Sequence, residues 1–122
     1  MPSDIRVIHA HEFLRATADG RLDLEESKRA LVEIASASPP SEHYDVLVDT
    51  RSAHSEMTVT DLLELASQLH KVRKSFTRKT AIVVPRDRLD HAEFFANCAE
   101  DRGFEVSAFT SLGDAMTWLI EG

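Results

Sequence analysis

The chain has 122 residues, 43% of them hydrophobic and 29% charged, which is enough for one domain over residues 1–122 and too few for two. Fourteen Lys and Arg against 21 Asp and Glu leave a formal charge of −7, the wrong sign for a surface that neutralises nucleic-acid phosphates. A single cysteine, Cys98, rules out an internal disulfide and a cysteine-based zinc site. No run reaches the apolar length of a membrane span, and the start Met1-Pro2-Ser3-Asp4 lacks a basic, apolar leader; the expectation is a cytoplasmic protein without a nucleic-acid partner.

Residues 5–9 and 12–18 alternate and are rich in branched or aromatic types, which predicts two strands joined by a turn at Ala10-His11. They are too close for a crossover and so should pair antiparallel. Asp19-Gly20 is the expected end of the second strand. Asp23 is the expected N-cap of a helix running to about Ser38, with Glu25 and Glu26 in its positive first turn and Leu24, Leu31, Ile34 and Ala35 on its inner face. Pro39-Pro40-Ser41 stops it.

Residues 45–49, apolar at the centre without alternation, predict a central strand covered on both faces. After a loop from Thr50 to Val59, Thr60 as cap and Asp61 in the first turn open a second helix. Leu62, Leu65, Ala66, Leu69, Val72 and Phe76 form its stripe, and Lys71, Arg73 and Lys74 sit at its negative end. Residues 80–85 read as a strand closed by Pro85. A third helix over 89–102 carries Leu89, Ala92, Phe95, Ala96 and Ala99 inward and stops at Arg102-Gly103. Residues 104–109 form the last strand, and Ser111 caps a closing helix whose inner face is Leu112, Ala115, Met116, Leu119 and Ile120.

The order β-β-α-β-α-β-α-β-α predicts an α/β fold: a mostly parallel five-stranded sheet with an antiparallel first hairpin. Alternation in the first, second and last strands predicts a sheet face that is only partly covered, or covered by a second copy of the chain in a homodimer.

Several segments together resemble the bacterial SpoIIAA-like, STAS-related family. They are the strand end Val46-Leu47-Val48-Asp49-Thr50-Arg51, the helix start Thr58-Val59-Thr60-Asp61-Leu62, the strand Ala81-Ile82-Val83-Val84-Pro85, and the tail from Gly103-Phe104-Glu105-Val106 through Phe109-Thr110-Ser111-Leu112-Gly113-Asp114-Ala115 to Trp118-Leu119. The resemblance covers nearly the whole chain and implies the SpoIIAA-like fold. In STAS proteins that antagonise anti-sigma factors, a partner kinase phosphorylates a hydroxyl residue in an Asp-Ser-Ser-Gly motif where the second helix starts. Here Met57-Thr58-Val59-Thr60 keeps hydroxyls at Thr58 and Thr60 but has neither the acidic residue nor the glycine, and Thr58 is the phosphorylation candidate that the resemblance implies. Capping alone also accounts for Thr60.

Chemistry-bearing patterns are sparse. The four glycines, Gly20, Gly103, Gly113 and Gly122, are scattered and form no phosphate cradle, so no nucleotide cofactor is expected. His9 and His11 lie beside a turn with no third ligand at a usable spacing, which argues against a metal site. His54-Ser55-Glu56 holds the residue types of a nucleophile and base but no nucleophile elbow, and Cys98 beside Phe94 and Phe95 reads as an inert thiol. His91, one turn from both phenylalanines, reads as a surface residue. No catalytic residue is assigned.

The arginines say more. In open parallel sheets ligands gather beyond the carboxyl ends of the strands, where helix N-termini present free N–H groups. Arg51, Arg86 and Arg88 follow two such ends, and with Thr58 and Thr60 they form an anion-binding candidate; Arg51 also has Asp49 and Asp87 as possible ion-pair partners. Lys71, Arg73, Lys74, Arg78, Lys79, Arg86 and Arg88 against Asp87 make residues 70–88 +6, which leaves −13 on the rest and suits a partner with an acidic surface. The reading that follows is a non-enzymatic STAS-like module that binds a protein partner or a small anionic ligand. The alternative is a small-molecule or lipid carrier resembling the CRAL-TRIO fold, with Phe76, Phe94, Phe95 and Leu89 lining a pocket. A small enzyme using Arg51 with His54 or His91 is a third possibility.

Overall fold

The computed structural model describes residues 4–10, 13–37, 45–55, 57–75 and 78–121. The expected turn residue His11, the helix stop Pro39-Pro40-Ser41, Glu56, Phe76 and Gly122 lie outside the described residues. The elements are β1 (Asp4–Ala10), β2 (Phe13–Leu22), α1 (Leu24–Ala37), β3 (Asp45–Ser55), α2 (Val59–Gln68) with a 3-10 extension over Leu69–Ser75, β4 (Lys79–Val83), α3 (Leu89–Asp101) preceded by a 3-10 turn over Arg86–Arg88, β5 (Glu105–Phe109) and α4 (Leu112–Glu121). The strands lie side by side in chain order. β2, β3, β4 and β5 run parallel, and β1 pairs antiparallel with β2.

Register divides the sheet into two faces. Leu14 and Ala16 pair with Val46 and Val48, which pair in turn with Thr80 and Ile82. This row meets α1, α2 and α3 around a core of Ile34, Leu62, Leu65, Ala66, Phe95, Ala99 and Val106. The alternate row, Leu47, Ala81 and Val83, meets α4 through Ala115 and Leu119, flanked by Phe109, Leu112, Met116 and Trp118. Since α4 packs on β3, β4 and β5, it covers the second face on that side. Where that face continues onto β2 and the end of β3 it carries Arg15, Thr17, Asp49 and Arg51, a polar stretch. That polarity reproduces the alternation seen in the sequence.

Local signals explain most of the boundaries. The N-cap of α1 is Asp23, whose Oδ1 accepts the Glu26 N–H at 2.9 Å. The α3 stop is a positive-φ glycine: Gly103 has φ 90°, its N–H donates to Glu100 O at 2.9 Å, and the Phe104 N–H donates to Ala99 O at 3.1 Å. At the other end of the sheet, Lys79 Nζ donates to Trp118 O at 3.2 Å, near the carbonyl end of α4, and lies 5.4 Å from the indole centroid.

Two boundaries and one inward assignment differ from the sequence reading. Strand β2 does not end at Asp19-Gly20: Gly20 adopts φ 77° and the strand runs on to Leu22. Strand β3 accordingly continues from Asp49 to Ser55 in place of the expected loop, because Ser52, Ala53, His54 and Ser55 pair with Asp19, Gly20, Arg21 and Leu22. On α4, Ile120 is 73% exposed instead of facing inward. At 100° per residue it cannot share the stripe centred on Ala115 and Leu119.

The burial of Leu47 against α4 and the exposure of Ile120 set the expected cost of truncating each. Leu47→Ala should cost about 2–5 kcal/mol in urea unfolding, whereas Ile120→Ala should stay within about 0.5 kcal/mol of wild type.

Candidate functional site

Beyond Asp49 the pairing of β3 with β2 shifts by one residue: Thr17 opposes Asp49, and Asp19 opposes Ser52. The extra residue on β3 forms a bulge, which bends a strand and leaves backbone groups out of the ladder. Asp49 takes up this slack. Its Oδ1 accepts both the Arg51 backbone N–H (3.1 Å) and Arg51 Nε (3.0 Å), while Oδ2 accepts Arg51 Nη2 (2.8 Å). Arg15 Nη2 from β2 lies 3.8 Å from Oδ2. Burial pushes the Asp49 carboxyl up, but the Arg51 hydrogen bonds and the charges of Arg51 and Arg15 outweigh it and hold the carboxyl below its ordinary value. Arg51 is therefore bound to Asp49 on the α4 face of the sheet.

The other side of the same bulge is held by Arg88, at the start of α3. Its Nη2 donates to Thr50 O (3.0 Å) and Ala53 O (2.7 Å), two carbonyls of the irregular strand end. The Thr50 hydroxyl donates to Val83 O at 3.0 Å and joins β3 to β4. Burial lowers the pKa of Arg88, opposed by the charge of Asp87; the guanidinium is a cation at neutral pH regardless.

Arg88, Thr50, Ser55 and His91 line one part of a cavity of about 150 Å³ between the sheet and helices α1, α2 and α3. Apolar residues make up most of the remaining wall: Ala16, Val48 and Ile82 from the sheet, and Ile34, Leu62 and Phe95 from the helices. The sequence reading expected a pocket only in its carrier alternative, lined by Phe76, Phe94, Phe95 and Leu89, and not with these walls. The signal of this cavity is the run of small residues at inward positions, Ala16 and Ala18 on β2, Ala30 on α1 and Ala92 on α3, where larger side chains would fill the layer. Of the residues expected around a pocket, Phe95 lines the cavity, Phe94 packs at the edge of the core, and Leu89 is half-buried outside the lining.

The proposed anion-binding set is thus divided. Arg51 lies with Asp49 on the α4 face, Arg88 lines the cavity on the opposite face, and Arg86 is exposed. The helix cap is Thr58 rather than Thr60. Thr58 Oγ1 accepts the Asp61 N–H and Asp61 Oδ2 accepts the Thr58 N–H, both at 3.1 Å, while Thr60 is an exposed residue inside the first turn. The cap falls two residues earlier because this reciprocal box requires an acidic side chain three positions after a hydroxyl, and Asp61 serves Thr58. His54 and Ser55 are successive strand residues and project to opposite faces, so they do not converge on one substrate. Cys98 is buried in the helix-layer core. Of the basic residues in 70–88, Arg78 and Lys79 lie at the amino end of β4, where both donate to Asp45 Oδ1, and Arg86 and Arg88 lie beyond its carboxyl end. Among the described residues no group of His, Cys, Asp and Glu is arranged to hold a metal ion, and no helix is long and apolar enough to cross a membrane.

No protein-family model matches the chain, and no match was found among curated proteins. Two solved structures are similar over nearly the full length. One is an uncharacterized DUF3478-family protein with a SpoIIAA-like fold from Shewanella loihica PV-4, with a TM-score of 0.60 and 16% identity over 96% of this chain and 93% of that one. The other is an anti-sigma factor antagonist from Mycobacterium paratuberculosis, with a TM-score of 0.59 and 16% identity over 98% of this chain and 95% of that one. The chain has a SpoIIAA-like α/β fold.

The Asp49 cluster gives stability a defined pH dependence. A carboxyl whose folded pKa lies below its unfolded value, about 3.9, contributes fully above that value and loses its contribution as pH falls toward the folded pKa. Asp49→Ala should cost about 1–2 kcal/mol at pH 7, a range that allows for the partial exposure of Arg51 and Arg15. Urea titrations of wild type and variant should converge as pH is lowered below 4, and a gap that widens with acid would contradict the assignment.

Proposed function

We propose that this chain is a non-enzymatic regulatory module that works by binding a protein partner at the exposed start of α2. The observation that carries the reading is the outward pair Val59 and Leu63, 49% and 42% exposed, one turn apart on a helix whose opposite side, Leu62, Leu65 and Ala66, is buried. Thr58 and Thr60 flank this apolar pair and are exposed. The fold likeness to an anti-sigma factor antagonist supports a regulatory role. Support for a non-enzymatic role comes from the opposite projection of His54 and Ser55 and from Arg51, whose guanidinium is held by the Asp49 carboxylate.

Thr58 is the residue through which such a surface is switched. A phosphoryl group there adds about −1.5 to −2 charge beside the positive end of α2, where the helix dipole favours it. The modification changes the chemistry of the docking surface, and the Asp61 carboxylate of the same capping box opposes it by like-charge repulsion. Exposed Arg86 and Lys71 offer separate points of contact for an acidic partner surface.

The test is affinity capture from the native host with wild type, Leu63→Glu and Thr58→Glu, each checked for fold by circular dichroism. A specific partner retained by wild type should bind at least tenfold more weakly to Leu63→Glu, and Thr58→Glu should change its affinity. Sedimentation of the purified chain separates the homodimer case: a mass of two chains that falls to one in Leu63→Glu makes the partner a second copy. Equal capture by all three proteins contradicts the surface.

A further inference from the structure

We infer that the cavity between the sheet and helices α1 to α3 binds a small molecule with an apolar body and one carboxylate end, the carboxylate meeting Arg88. This site is separate from the outward face of α2 and does not depend on partner binding there.

The body follows from the walls. A space of about 150 Å³ bounded by Ala16, Val48, Ile82, Leu62 and Phe95 offers dispersion contacts and almost no hydrogen-bonding groups. In another protein, an engineered cavity of about 150 Å³ with Leu, Ile and Phe walls stays dry and takes up benzene. A ligand of that order, a short alkyl chain or one ring, matches the space.

The charge follows from Arg88. A guanidinium has five N–H donors, and the two hydrogen bonds of Arg88 both leave from Nη2 and end on uncharged carbonyls, Thr50 O and Ala53 O. Those bonds fix the plane of the group while leaving its remaining N–H groups without acceptors among the described residues. Fixed donors of this kind favour a planar carboxylate over a neutral hydroxyl. Ser55 adds a second donor at the same end: its Oγ accepts the Met57 N–H at 3.5 Å, so its own proton is available to a ligand. The single cation at one end of an apolar space selects an amphiphile with one anionic terminus, since a second charge would lie against Leu62 or Phe95.

The test is isothermal titration calorimetry and thermal unfolding of the full chain with hexanoate, hexanol and acetate as probes. Hexanoate should bind and raise Tm. Hexanol, with the same chain and no charge, should bind at least tenfold more weakly, and acetate, with the charge and no chain, should give no signal at the same concentration. Ala16→Leu or Ala92→Leu, whichever retains the fold, should remove hexanoate binding by filling the space. Arg88→Gln should bring hexanoate down to the affinity of hexanol. Absence of hexanoate binding at 10 mM, a condition set by the weak affinities of ligands this small (on the order of millimolar), would overturn the proposal. So would equal binding of hexanoate and hexanol, acetate binding as tightly as hexanoate, or hexanoate binding unchanged in the folded cavity-filling variant.

Discussion

One extra residue in β3, between the pairs Thr17–Asp49 and Asp19–Ser52, is the constraint on which the functional end of this fold depends. A parallel strand cannot absorb an added residue without releasing backbone groups from its ladder, and buried groups of that kind must find partners elsewhere. Two charged side chains supply them from opposite sides of the sheet. Asp49 accepts the Arg51 N–H on the α4 face, and Arg88 donates to the Thr50 and Ala53 carbonyls on the other. The strand end is therefore held by the local Asp49–Arg51 contacts and the long-range bonds of Arg88, beside a small apolar cluster of Ala18, Leu22 and Ala53.

This arrangement divides the charged groups between the two faces of the sheet. The pair of Asp49 with Arg51, joined by Arg15, sets one carboxylate between two guanidinium groups on the second sheet face. Arg88 works differently, because its bonded partners are dipoles and its charge is not cancelled by a bonded carboxylate. Its side chain also ties the start of α3 to the end of β3, so that the residues opening α3 and those preceding α2 converge on one region. The inward residues of α2, Leu62 and Leu65, line the cavity, and the outward residues, Val59 and Leu63, face solvent. One helix thus borders both the internal space and the external surface.

How much of this is legible in the sequence follows from the kind of signal each feature leaves. Helices announce themselves through apolar spacing and caps, and Asp23 and Gly103 act where their chemistry says they should. The second halves of β2 and β3 leave no such trace. Of their residues, Gly20, Arg21, Ser52 and His54 are exposed, Leu22 and Ala53 are buried too sparsely to show a period, and mutual pairing through backbone groups makes them strands. The pair of Arg51 with Asp49 is visible as a two-residue spacing of opposite charges on a strand. The partners of Arg88 are main-chain carbonyls 35 and 38 positions away, and no pattern of side-chain types points to them. The cavity is written only negatively, as alanines at positions where a fuller core would carry larger residues.

The central claim is that Arg88 holds the bulged end of β3 and, through it, the polar end of the cavity. Hydrogen exchange of backbone amides in wild type and Arg88→Gln tests this most directly, because local opening of a strand is read as faster exchange confined to that strand. Loss of two charge-assisted hydrogen bonds should speed exchange over residues 50–55 and the first turn of α2 at least tenfold, about 1.4 kcal/mol, while amides of β4 beneath α4 keep their wild-type rates. Equal exchange over residues 50–55 in the two proteins, or a uniform acceleration across the whole sheet, would contradict it.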